Sequence, residues 1–163
     1  MVRFCIFVSV LFLVHIIVPS SILGAGDLEK SIDISKIIGG KVFRSGDGVR
    51  VEMALIAPEK GIKRVLVRAE NLGSEWDHKI LLHRIIEYDG NADFVMEYLG
   101  RDWITIAQRR YNGWDAFQKI SFELPGSKKS LVLIYDRKDS DAFHPEDLAK
   151  AYSKPATVEG KKL

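Results

Sequence analysis

The feature that most constrains this chain is period-two alternation, broken at short intervals by turn residues. In VRVEMALIA, residues 49–57, Val49, Val51, Met53, Leu55 and Ala57 share one parity, and in a β-strand one parity is one face. IKRVLVRAE repeats the pattern with Val65, Val67 and Ala69, and FQKISFEL with Ile120, Phe122 and Leu124. KILLHRIIEY, ADFVMEYL and DWITIAQRR are further strand candidates. RSGDG, PEKG, DGN, Gly100-Arg101, YNGWD and PGSKKS punctuate the series. LVLIYD, residues 131–136, is a short continuous apolar run, the pattern of a strand buried on both faces.

About seven strands spaced roughly 8–15 residues apart predict an all-β fold, an antiparallel β-sandwich with a closed β-barrel as the alternative. No ten-residue helical pattern separates the strands, which disfavours a parallel α/β sheet. The one good helix pattern is HPEDLAKAY, with Pro145 suited to a first helical position and Glu146 and Asp147 suited to its electropositive end. Residues 49–153 are expected to form the domain. Residues 26–48 read as a lead-in, irregular at first and ending in a strand, although Gly39-Gly40 also suits the tight turn of a hairpin. The tail, 154–163, has no apolar periodicity.

Ahead of the lead-in, Arg3 precedes an apolar run from Phe4 to Val18, followed by small residues at Ser20, Ser21, Gly24, Ala25 and Gly26. This is the layout of a secretory signal peptide over residues 1–25. It predicts an exported protein, periplasmic or secreted, with no membrane span after cleavage. The single cysteine, Cys5, lies within that segment, so the mature chain is expected to be free of disulfides and of any thiol chemistry. A net charge of +2, from 24 basic and 22 acidic residues, argues against a nucleic-acid surface.

The segment NLGSEWDHKILLHRIIEYDG, residues 71–90, gathers two histidines, a tryptophan and several carboxylates. His78 and His83 carry ligand chemistry suited to zinc, but an odd separation along a regular strand sends them to opposite faces. His83 lies among apolar neighbours in ILLHRII and reads as a core histidine. The Trp-Asp dipeptides at 76–77 and 114–115 do not belong to a wider repeat. The glycines of IIGGKVFRSGDG precede a strand, not the helix a phosphate loop needs. Asp136, Asp139 and Asp141 lack the spacing and glycine of a calcium loop. No Gly-x-Ser-x-Gly elbow occurs.

The residues best suited to a ligand surface are Trp76, Asp77, His78, Trp103, Tyr111 and Trp114. The aromatic rings would supply contact area at low entropic cost, and Asp77 and His78 would fix orientation. These patterns assign no cofactor, metal ion or catalytic residue. The expected function is a non-catalytic binding module for a protein partner or a cell-envelope glycan. Two alternatives belong to other classes. One is a small hydrolase using His78 or His83 with a carboxylate. The other is a barrel carrying an apolar ligand in a cavity lined by Phe94, Phe117 and Phe122.

Overall fold

A computed structural model describes residues 31–127 and 129–154; the segment 1–25 read as a signal peptide and residues 155–163 of the tail lie outside them. Eight strands run in chain order: β1 (Ile37–Arg44), β2 (Arg50–Glu59), β3 (Ile62–Glu70), β4 (Ile80–Tyr88), β5 (Asn91–Tyr98), β6 (Arg101–Gln108), β7 (Lys119–Phe122) and β8 (Leu131–Tyr135). Two helices follow, α1 (Arg137–Ala142) and α2 (Pro145–Ser153). Three hairpins turn on two residues each, Lys60-Gly61, Asp89-Gly90 and Leu99-Gly100, with positive φ at both positions. That backbone twist matches the twist of paired antiparallel strands.

Every strand pairs antiparallel with its neighbours in sequence, and β8 returns to β1, closing a barrel. The antiparallel all-β expectation holds, and the closed barrel is the arrangement found, in place of the sandwich. The eighth strand, β1, comes from the lead-in, and Gly39-Gly40 lies within it as strand, not as a turn. The closing seam is short, pairing Phe43 with Tyr135 and Arg44 with Ile134. It is extended by the Asp136 amide donating to the Val42 carbonyl at 2.8 Å and by the Val42 amide donating to the Ser140 hydroxyl at 2.8 Å.

Inside, the predicted parity holds for Val49, Val51, Met53, Val65, Val67 and Ala69, which join Phe94, Ile106, Ile120, Phe122 and Leu133 in one core. The opposite parity of β2 and β3 is also apolar where α2 covers it. Ala54, Ile56 and Leu66 pack there against Leu148 and Ala149, with Phe143 and Tyr152 beside them. Gly40 allows that approach, because a Cβ on it would stand 2.8 Å from the Phe143 ring and 2.9 Å from Pro145. On the same outer wall Glu52 is buried between the guanidinium groups of Arg50 and Arg68. Arg44 and Arg50 reach Asp139 of α1, so charge as well as packing holds the helical end against the sheet. Asp136 caps α1 by accepting from the Asp139 amide at 3.0 Å.

Two local features depart from the sequence reading. Strand β8 is not buried on both faces: Val132 is 51% exposed and Ile134 is 52% exposed on its outer side. Strand β4 divides its pairing. Its Ile80–Ile85 portion pairs with β3, while only Arg84–Tyr88 pairs with β5. Between Ile80–His83 and Met96–Tyr98 the wall therefore parts.

The upper mouth of the barrel as candidate functional site

In an up-and-down barrel successive connections alternate between the two ends. The β1–β2, β3–β4, β5–β6 and β7–β8 connections share the upper end; the β2–β3, β4–β5 and β6–β7 connections share the lower. Trp76, Asp77 and His78 lie in the β3–β4 connection, and Tyr111 and Trp114 in the β6–β7 connection. These two groups therefore occupy opposite ends and do not form one platform. Trp103 lies on β6 in register with Met96 and is 37% exposed.

At the upper end, residues 71–79 form a loop organised by Asp77. Its carboxylate accepts from the amides of Leu72 at 3.0 Å and Gly73 at 3.1 Å. These backbone donors, Leu72 foremost, hold the Asp77 carboxyl below its ordinary value. The loop turns back through His78, whose φ of 61° places it in the left-handed region and whose amide donates to the Ala69 carbonyl at 2.8 Å. Its side chain is 70% exposed and lies 3.9 Å from Glu70.

With the loop so held, Trp76 turns inward and is buried in the core. Its indole N–H donates to the Pro125 carbonyl at 3.1 Å, and its ring meets Tyr98 edge-on at 5.3 Å. Lys79 places its ammonium 5.0 Å from the Trp76 ring. Above and beside Trp76 opens a pocket of about 560 Å³ between the β1–β2, β3–β4 and β7–β8 connections. Its wall is apolar through Val49, Leu72, Trp76, Phe122, Leu124 and Leu131. Its rim is polar, with Asp47 and Glu75 on one side and Ser127 and Lys129 on the other.

The lower end is filled by aromatic packing. Phe117 stacks on Phe43 at 5.3 Å and meets Phe94, Tyr111 and Trp114 at 6.0, 5.7 and 5.3 Å. Trp114 also leans over Gly39, where an added Cβ would stand 3.3 Å from the indole nitrogen. Burial, reinforced by Glu87, pushes the Tyr111 hydroxyl up to about 12. Lys41 points into this plug, 4.4 Å from the Tyr135 ring centroid, and desolvation lowers its pKa. Tyr111 and Trp114 are thus occupied in closing the barrel, as are Phe94 and Phe117. Of the three phenylalanines expected to line a cavity, Phe122 alone borders the upper pocket.

His83 stands opposite Val65 on the inward face of the wall and is fully buried. Desolvation lowers its pKa to about 4, so the ring is neutral near pH 7. Among the described residues no cluster of three or more His, Cys, Asp or Glu could hold a metal ion.

Sequence reasoning located Trp76 and its loop but missed the residues that complete the pocket. Leu124, Pro125, Ser127 and Lys129 belong to a stretch that reads only as a strand end and a turn, and Asp47 to another turn. The available signal was the apolar pair Phe122 and Leu124 running into Pro125-Gly126 at a strand end. Comparison with known protein families, with curated proteins and with solved structures finds no match to this chain.

Proposed function

We propose that the protein is a non-catalytic binding barrel that takes a small amphipathic molecule in its upper mouth. The apolar body lies against Trp76, Phe122 and Leu124, and the polar end meets the rim. The observation that carries this reading is the pocket of about 560 Å³, with an apolar wall and a few polar groups confined to its edge. That combination of volume and lining is typical of small-molecule sites. An eight-stranded barrel is just wide enough to hold one such ligand or to be filled by its own side chains. Here the lower half is filled and the upper mouth is open.

The pocket supports the carrier alternative among the readings of the sequence. A glycan platform built from Trp76, Trp103, Tyr111 and Trp114 has its rings divided between the two ends and β6. A histidine hydrolase has His83 buried and neutral in the core and His78 on an open surface, 3.9 Å from Glu70. The signal-like N-terminus supports action outside the cytoplasm, where a barrel could shield an apolar molecule from water.

Titration with anilinonaphthalene sulfonate, excited through tryptophan, tests the reading. Saturable one-to-one energy transfer is expected, reduced in Trp76→Phe, with Trp103 and Trp114 supplying the remainder. In Leu72→Trp, where the pocket wall gains bulk, dye affinity is expected to fall at least about tenfold, the cost of roughly 1.4 kcal/mol. Dye binding unchanged by both substitutions sinks the proposal.

A further inference from the structure

His83 carries an unmet hydrogen-bonding demand beside the parting in the barrel wall. Its Nδ1 lies 3.2 Å from the Leu81 carbonyl oxygen. A carbonyl only accepts, so Nδ1 holds the proton and Nε2 presents a lone pair. That Nε2 is fully buried and has no hydrogen-bond partner among the described residues. A buried polar atom in this condition costs about 1–3 kcal/mol, and native interiors seldom leave one without a function or an occupant.

The position of the ring suggests the occupant. His83 is the last β4 residue before pairing with β5 begins at Arg84 and Val95. Continued in register, it would face Met96. Over this parting runs a groove of about 870 Å³, whose apolar lining includes Ile80, Leu81, Leu82, Met96 and Leu99. Arg84 and Glu97 also line it. Leu99 is 83% exposed, an unusual setting for an aliphatic side chain at a tight turn. Leu81 and Met96, the inward-facing neighbours of His83 along and across the parting, both line the groove. His83 itself is not a lining residue, so a hydroxyl reaches the imidazole only once Met96 moves aside. Met96 is unbranched and flexible, the type of side chain that moves aside at low cost. The groove and the upper mouth share no lining residue, so this site stands apart from the mouth.

We propose that the groove between β4 and β5 binds a long-chain alcohol, its chain along the apolar lining and its hydroxyl donating to Nε2 of His83. A carboxylate can only accept and would face another acceptor there. An ammonium would be held by Glu59 and Glu97 of the lining, and moving it from them to the buried imidazole would strip its hydration. A neutral hydroxyl satisfies the histidine at no such cost. The depressed pKa of His83 keeps the ring an acceptor at neutral pH.

The test follows the imidazole nitrogens of the protein by long-range proton–nitrogen NMR during additions of dodecan-1-ol, its methyl ether and dodecanoate. The alcohol should shift the His83 Nε2 resonance toward the hydrogen-bonded position and bind about tenfold more tightly than the ether, the worth of one buried hydrogen bond. His83→Phe should remove that preference. The proposal is overturned if alcohol and ether bind alike, or if Nε2 already shows the shift of a water-bonded nitrogen and the alcohol leaves it unmoved. Because the ligand series uses the unaltered protein, the result does not depend on whether His83→Phe folds. Leu72→Trp should weaken dye binding in the upper mouth and leave the His83 response to the alcohol unchanged, so the two sites are tested separately.

Discussion

The Trp76 indole donates to the carbonyl of Pro125 across 3.1 Å, linking the β3–β4 connection to the β7–β8 connection over the top of the barrel. This bond fixes the ring that forms one wall of the upper pocket. Trp76→Phe should keep most of the apolar contact but lose the bond, lowering stability by about 1 kcal/mol. Trp76→Ala should cost about 3–5 kcal/mol, since it also opens a cavity. Urea unfolding followed by far-ultraviolet circular dichroism would separate the two losses.

Gly40 should tolerate no side chain without displacing α2. A Cβ there meets the Phe143 ring at 2.8 Å and Pro145 at 2.9 Å, and overpacking of this kind costs about 1–3 kcal/mol. Gly40→Ala is therefore expected to lower the unfolding temperature and to speed amide exchange in Pro145–Ser153. Gly39→Ala, whose tightest contact is the Trp114 indole nitrogen at 3.3 Å, should be milder. Equal effects at both positions would contradict the close approach described for Phe143.

Stability should fall as pH is lowered from about 6.5 toward 4. His83 has a folded pKa of about 4 against an ordinary 6.5, so in this window the unfolded chain binds a proton that the folded chain refuses. Stability therefore rises with pH across the window and is lost on acidification, by about 3 kcal/mol in all. Asp77 and Asp139, whose values are lowered by their hydrogen bonds, act below it. Their stabilisation is present above the ordinary carboxylate value and disappears as pH falls through the lowered one. Denaturant midpoints at pH 7, 5.5 and 4.5 should show the decline, and His83→Phe should flatten it.

Glu52→Gln should cost about 1–3 kcal/mol, because it removes the anion held between Arg50 and Arg68 while Glu70 and Asp139 still partner those cations. A neutral result in urea unfolding would mean that the two guanidinium groups find other partners.

The strands were legible in the sequence because half-buried strands write their two faces as parity. Asp89-Gly90 marked its turn for an equally local reason, the positive φ its backbone adopts. Closure was not legible, since it rests on Phe43 meeting Tyr135, and neither residue signals the other along the chain. Gly39-Gly40 also suited a turn, the alternative to a first strand, because glycine permits one; its use here is to admit Phe143 outside and Trp114 inside. LVLIYD looked buried on both faces, yet Val132 and Ile134 face outward uncovered. For the candidate pocket, the sequence singled out the Trp76 loop that borders it, but not how Asp77 and His78 are used. Asp77 spends its oxygens on backbone amides, and His78 turns outward to Glu70. Tyr111 and Trp114 could be placed at the opposite end only once the three strands between the two loops were known to pair in chain order.

The short seam between β1 and β8 has a consequence for how the molecule comes into being. Val42 reaches its last partner, Ser140, 98 residues later in the chain. A ribosome delivers β1 early and Ser140 late, so through most of synthesis the growing sheet has two raw borders able to template pairing with another chain. A product terminated before Leu131 is then no smaller barrel. It is an open ribbon that has made nearly all of its ladder and lacks the one stitch that renders it inert, and its expected fate is to be sealed by a second truncated copy or by a holding chaperone.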